Sequence, residues 1–288
     1  MIGRVSTFSQ TLYVLDRSLA SQARLADVQA QTASGLKSDT FGGYGAATSA
    51  IARYEADISA ADVEAASAAS ALNVVEQAYS ALGSISDLAE TILSSLSTYG
   101  EDSTTLASLA DGWLDDLESL LNSTYGDQAL FAGDALDVDA VDLDAWDAAD
   151  PDAYYKGAST ARAYTTADGQ VLSLSATASD PALSALIDTL KGLSAGTTSS
   201  EDALDAVQAA ASDIGVLRAS LSSNASRLER ISEQATARSD SLTTVVSTLK
   251  EADLAEASVL ATQYETLLQT SYSTLNILMS VKLSDYLR

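Results

Sequence analysis

Apolar side chains recur along this chain at alternating steps of three and four residues, the spacing of a helical seam. From Ile51 the positions are Tyr54, Ile58, Ala61, Ala65, Ala68, Leu72, Val75, Tyr79 and Leu82. The phase then slips at Ser86, where Ile85 and Leu88 take over, and the pattern runs on to Leu96, before Tyr99-Gly100. Such a slip resembles a stutter, a local change of winding inside one helix. At ~1.5 Å per residue the predicted helix is roughly 80 Å long, a rod. A second rod carries Ile214, Leu217, Leu221, Asn224, Leu228, Ile231, Ala235, Arg238, Leu242, Val245 and Leu249. Asn224 and Arg238 fall on its predicted seam, where a polar residue either fixes register at a cost in stability or is tolerated beside water. A shorter helix is predicted from Thr104 to Ser123, with Leu106, Leu109, Trp113, Leu117, Leu120 and Leu121, folding back along the first rod through the Gly100 turn.

Both ends of the chain are helical by the same criterion, and the two are expected to pair. Val5, Phe8, Leu12, Leu15, Leu19, Ala23, Ala26 and Ala30 form an apolar stripe that stops at Ser34-Gly35. The glycines of Ser38–Gly45 predict a flexible break before the first rod. From Leu254 to Arg288 the chain carries Tyr264, Leu267, Leu268, Tyr272, Leu275, Ile277, Leu278, Met279, Val281, Leu283, Tyr286 and Leu287, and its last dozen residues are apolar on nearly every face. A helix apolar all round has to be buried on all sides, and in a thin rod only other subunits offer that burial. The expected assembly interface is therefore Phe8, Leu12, Leu15, Leu19, Leu268, Leu275, Leu278, Leu283, Tyr286 and Leu287.

Residues 126–200 differ. An acidic stretch runs from Asp127 to Asp152, short alternating runs at Tyr154–Tyr164 and Gln170–Ala176 flank a turn at Asp168-Gly169, and Asp180-Pro181 opens a helix that ends near Gly192–Gly196. The fold class is mainly α: long coiled-coil-like rods, paired terminal helices and a small inserted β-containing domain. The predicted divisions are 1–45 (terminal helix and hinge), 46–125 (rod of two helices), 126–200 (insert), 201–250 (returning rod) and 251–288 (C-terminal helix).

Composition narrows the function. The 288 residues hold three Phe, two Trp and two Pro, so the core is thin and rich in alanine. With 15 basic against 40 acidic residues the net charge is −25, which speaks against nucleic acid and anionic membrane as partners. Cysteine and histidine are absent, which removes disulfides, Cys/His zinc sites, cysteine nucleophiles and Ser–His–Asp chemistry. The first twenty residues have no unbroken apolar core and no small-residue cleavage site, so no Sec signal is predicted, and no stretch reaches a membrane span. The Asp134–Asp152 run lacks the glycine and closing glutamate of an EF-hand loop and reads as a solvated acidic loop, with calcium binding the alternative. The FGGYG segment has neither a preceding strand nor a following Gly-Lys-Ser/Thr, and reads as a hinge rather than a phosphate loop. Tyr264, Tyr272 and Tyr286 read as packing residues. No catalytic group, cofactor or metal site is expected, and the chain is not read as an enzyme.

Certain segments resemble the flagellin superfamily. RLADVQAQTASGLKSDT from Arg24 is similar to the family's N-terminal helix and the turn after it, although Thr40-Phe41-Gly42-Gly43 replaces the usual Asp-Asp-Pro. YGDQALFAG (Tyr125–Gly133), YYKG (Tyr154–Gly157) and the ending LSDYLR (Leu283–Arg288) resemble the hook–filament junction branch, hook-associated protein 3, more than filament flagellin. The resemblance implies a structural subunit of the extracellular bacterial flagellum that joins hook to filament. It further implies exit through the flagellar type III channel, aided by a cytosolic chaperone. The implied partners are further copies of the chain, hook-associated protein 1 and flagellin. A filament-forming flagellin is the second reading, and a non-flagellar acidic coiled-coil or calcium-binding surface protein the third.

Overall fold

The computed structural model describes the backbone of residues 2–100 and 102–280, and the side chains of 9–100 and 102–277. Six helices dominate: α1 (Ile2–Ser34), α2 (Thr48–Tyr99), α3 (Ser103–Leu121), α4 (Pro181–Ser194), α5 (Ser200–Lys250) and α6 (Leu254–Ser280). Among the described residues the strands form two antiparallel hairpins, β1 (Thr124–Tyr125) with β2 (Gln128–Ala129) and β3 (Ala163–Thr165) with β4 (Val171–Ser173). The chain divides into two compact units, Met1–Ala60 with Arg238–Arg288, and Ala61–Ala237. Charge divides with them: 29 of the 40 acidic residues but only six of the 15 basic ones lie in Ala61–Ala237.

Local chemistry sets the element ends. Asp102 Oδ1 accepts from the Thr105 amide at 3.1 Å and Asp180 Oδ1 from Ala182 at 3.1 Å, capping α3 and α4, the latter with proline in its first turn. Ser199 and Asp202 bond reciprocally at the start of α5, and Asp253 Oδ1 receives the Ala255 and Glu256 amides at the start of α6. Gly35 leaves α1 at φ 72°, a conformation that favours glycine. The β1–β2 turn places Gly126 and Asp127 at φ 58° and 62°, as a two-residue hairpin with the strands' twist requires.

Within Ala61–Ala237, α3 packs against α4, and α5 touches α2 where Ser232 Oγ donates to the Ala65 carbonyl at 3.3 Å and Arg218 lies over Tyr79. One apolar cluster runs from Ala71 to Leu228 and includes Leu82, Ile85, Leu117, Phe131, Tyr154 and Leu186. The buried positions of α2 include Ile51, Ala61, Ala68, Ala71, Val75, Ala78, Leu82, Ile85, Ala89, Ile92 and Leu96, with Val74 beside them, and from Ala68 to Leu96 they hold an unbroken alternation of three and four. The predicted slip at Ser86 does not exist. The seam passes through Ala71 and Ala78 instead of Leu72 and Tyr79, because alanine lets the helices approach closely while the bulkier neighbours flank the contact. Tyr79 stays 39 % exposed, with the Arg218 guanidinium stacked 4.7 Å above its ring.

Along α5 the expected seam holds at Ile214, Leu221, Leu228 and Ala235 and then shifts by one residue, so that Ser239 and Val246 are buried where Arg238 and Val245 were expected. Two consecutive steps of four, Ile231 to Ala235 to Ser239, make the stutter, in α5 rather than α2. Arg238 is exposed, whereas Asn224 is half-buried and donates from Nδ2 to the Ser173 carbonyl at 2.9 Å, tying α5 to β4.

The insert is less regular than the alternation implied. Tyr154 lies in a 3-10 turn (Pro151–Tyr154), is fully buried, and donates to the Ala178 carbonyl at 3.0 Å. Asn122 holds Val141 through both its amide nitrogen and oxygen at 2.9 Å, standing in for a strand partner. Acidic side chains of the 127–152 stretch serve local structure. Asp147 Oδ1 accepts from the Ala149 amide at 3.0 Å, and Asp142 stands 3.9 Å from Lys156. Among the described residues no group of three or more acidic side chains could hold a metal ion, and no helix is long and apolar enough to cross a membrane.

Candidate assembly surface

The unit made of Met1–Ala60 and Arg238–Arg288 contains α1 and α6, which pack along each other as the fold class anticipates. On α1 the inward positions are Thr11, Val14, Ser18, Ser21, Leu25, Val28 and Gln31, and on α6 Ala257, Ala261, Tyr264, Leu268, Ser271 and Leu275. The alternation of a coiled-coil seam holds from Thr11 to Val28 on α1 and from Ala257 to Leu275 on α6. Small and polar residues interrupt the larger ones along this seam, with Ser18 and Ser21 buried in its middle. A serine where a leucine could sit forgoes roughly 1.5–3 kcal/mol of apolar burial. The side-chain amide of Gln22 reaches the Tyr272 hydroxyl across the pair, and the Ser21 hydroxyl turns back to the Arg17 carbonyl at 2.9 Å.

The apolar stripe read from the sequence lies on nearly the opposite side of α1. Leu12, Leu15 and Leu19 are 49 %, 44 % and 56 % exposed. They belong to the expected assembly interface; the contact with α6 is made by the other face of α1, and the leucines are left outside it. The reason is geometric: serine and alanine permit close backbone approach, and the shared seam has to be continuous on both helices. Leu268 is buried and Leu275 half-buried, and both face α1. Phe8, Leu278, Leu283, Tyr286 and Leu287 lie outside the residues whose side chains are described. The far side of α6 is also apolar in part, with Val259, Leu267 and Ile277 exposed and a shallow groove running past Val259, Thr262, Thr266, Leu267 and Thr270.

A clasp anchors the α1–α6 pair. The Lys37 amide donates to the Lys250 carbonyl at 2.8 Å and the Ala252 amide to the Gly35 carbonyl at 2.8 Å, a short antiparallel bridge between the two breaks in the helices. Lys37 Nζ adds a bond to the Leu249 carbonyl at 2.9 Å, and Lys250 pairs with Glu55 while lying 5.7 Å over the Phe41 ring. The glycine segment read as a flexible break forms 3-10 turns over Phe41–Ala47, kinked at Gly45, which takes φ 55°. The Tyr44 hydroxyl fastens it to the Ser38 carbonyl at 2.5 Å, and Thr48 Oγ1 to the Phe41 carbonyl at 2.8 Å. The clasp residues escaped the sequence reading, since nothing local marks Lys37, Glu55 and Lys250 as neighbours. The heptad of small residues from Thr11 to Val28 was a usable signal for the seam, hidden by the stronger leucine stripe beside it.

Residues 204–287, spanning most of α5 and all of α6, match the family model for the bacterial flagellin C-terminal helical region. This part of the chain is flagellin-like. No curated protein matches the sequence. Among solved structures, a chain of Vibrio parahaemolyticus assigned as a flagellar hook-associated protein aligns with 16 % identity and a TM-score of 0.43, over 78 % of this chain and 96 % of that one. FlgL of Bacillus cereus aligns with 16 % identity and a TM-score of 0.34, over 66 % of this chain and 96 % of that one.

Proposed function

We propose that the chain is a structural subunit of the bacterial flagellum, assembled through its terminal helices, and that it serves as the adaptor between hook and filament. The observation that carries the flagellar reading is the flagellin C-terminal match over α5 and α6, the latter being the helix that pairs with α1 and leaves apolar faces uncovered. Burying the open halves of Leu12, Leu15 and Leu19 offers about 1 kcal/mol each per subunit, a driving force that only assembly can use. The junction position is favoured by the segments Tyr125–Gly133 and Leu283–Arg288 described above. On this reading the protein leaves the cell through the flagellar type III channel with a cytosolic chaperone, and meets hook-associated protein 1, flagellin and copies of itself.

Filament-forming flagellin is the second reading, favoured by the identity of the matched family itself. Deleting the gene separates the two. The adaptor reading expects hooks without filaments and flagellin released into the medium. Normal filaments in the deletion strain would overturn it.

A further inference from the structure

Helix α5 carries charge in a pattern that the fold does not use. Leu221, Leu228, Ala235 and Ser239 mark its buried side. At roughly 100° per residue, Arg227, Arg230 and Arg238 fall on one flank and Glu229, Glu233 and Asp240 on the other, so that the three stripes divide the circumference into approximate thirds. All six charged residues are exposed. None of the six belongs to the ion pairs Lys156–Asp142 and Lys250–Glu55. In a chain with 40 acidic residues and 15 basic ones, three unpaired arginines on a single stripe are not accounted for by folding.

The two flanks match each other. The arginines span positions 227–238 and the acids 229–240, the same length of about 16 Å, offset by roughly 3 Å. A chain that shows both halves of a complementary pair on separate flanks of one rod is complementary to a copy of itself standing alongside in the same direction. Such a contact is heterologous, so it leaves each copy with a free flank and repeats laterally. Opposite charges aligned this way give register and exclude wrong neighbours more than they give raw affinity. We infer that the arginine flank of α5 docks on the acidic flank of α5 in a neighbouring copy of this chain, as the lateral register contact of its assembly. The inference rests on the self-assembling subunit proposed above and adds the surface by which copies meet.

The absence of cysteine allows a clean test on the purified full-length chain. Gln234 lies on the arginine flank and Thr236 beside the acidic one. Under mild oxidation at low ionic strength, the double variant Gln234→Cys/Thr236→Cys is expected to give a ladder of dimers, trimers and longer species, and each single variant none. Adding Arg227→Glu, Arg230→Glu and Arg238→Glu is expected to reduce the ladder roughly tenfold or more, from three exposed pairs turned repulsive. Mixing that chain with one bearing Glu229→Arg, Glu233→Arg and Asp240→Arg is expected to restore it, which also shows that both variants remain folded. A missing ladder, a ladder unchanged by charge reversal, or dimers from one cysteine alone would each overturn the inference. So would cross-linking that appears only with an added acidic protein. Immunolabelling of whole cells separates the two readings. A ladder from a protein absent from flagella counts against the function alone, and no ladder from a protein present there counts against this contact alone.

Discussion

Lys37 Nζ donates to the carbonyl of Leu249 at 2.9 Å, which joins the turn after α1 to the last turn of α5. The ammonium meets the negative end of the α5 dipole as well as an otherwise unpaired carbonyl. Lys37→Met keeps the aliphatic stem and is expected to cost about 0.5–1 kcal/mol. Glu55→Gln, on a pair that is partly open to solvent, is expected to cost less than about 1 kcal/mol, falling with added salt. Hydrogen exchange checks both: the Lys37 and Ala252 amides, bonded across the clasp, should exchange several-fold faster in each variant while the amides of α3 do not change.

The surface leucines and the buried serines of α1 make opposite predictions. Leu15→Asp, at an exposed position, should leave the isolated chain as stable as before, within about 0.5 kcal/mol, and abolish incorporation into flagella. Ser18→Leu, at a buried position of α1, should tighten the α1–α6 pair by up to about 2 kcal/mol if the seam can open to admit it. Limited proteolysis reads the second effect: the wild-type chain should lose both ends readily, and Ser18→Leu should protect them.

Tyr154 gives a pH-dependent prediction. Burial, with the charges of Asp152 and Asp188 adding to it and a hydrogen bond with Ser184 opposing it, pushes its phenol from an ordinary value near 10 up to about 12. The folded state therefore keeps its proton after the unfolded state has lost one. The stabilisation from the neutral phenol is complete below pH 10 and is lost as the pH rises towards about 12. Tyr154→Phe removes the donor to the buried Ala178 carbonyl and should cost about 1 kcal/mol at neutral pH. Urea unfolding at a series of alkaline pH values should show the gap between wild type and variant shrinking over that window.

The corrected α2 seam is testable at adjacent residues. Ala78 is fully buried and Tyr79 is not. Ala78→Leu forces extra volume into the close α2–α5 approach and should cost about 1–3 kcal/mol. Tyr79→Ala should cost less, about 1 kcal/mol, chiefly the stacking under Arg218. Thermal unfolding of the two variants ranks them, and the reverse order would return the seam to Tyr79.

These two residues also show how far the sequence could be read. The existence, length and partnering of the rods follow from three–four spacing, and caps such as Asp180-Pro181 announce themselves locally. The phase of the seam did not, since ranking positions by size favours Leu72 and Tyr79 over Ala71 and Ala78, whereas packing rewards the smaller residues where helices come closest. The same bias drew the reading of α1 to its leucine stripe and overlooked Ser18 and Ser21, which are buried. Asn122 bonding Val141, and Lys37 reaching Leu249, depend on residues 19 and 212 positions apart, beyond any local pattern.

The central claim is a position on the flagellum, and imaging reads position directly. Antibody-gold labelling of intact cells, with the gene-deletion strain as control, is expected to place the protein in a single narrow band between hook and filament. Label along the whole filament would contradict the adaptor assignment and favour a flagellin, and label absent from flagella altogether would contradict the flagellar reading itself.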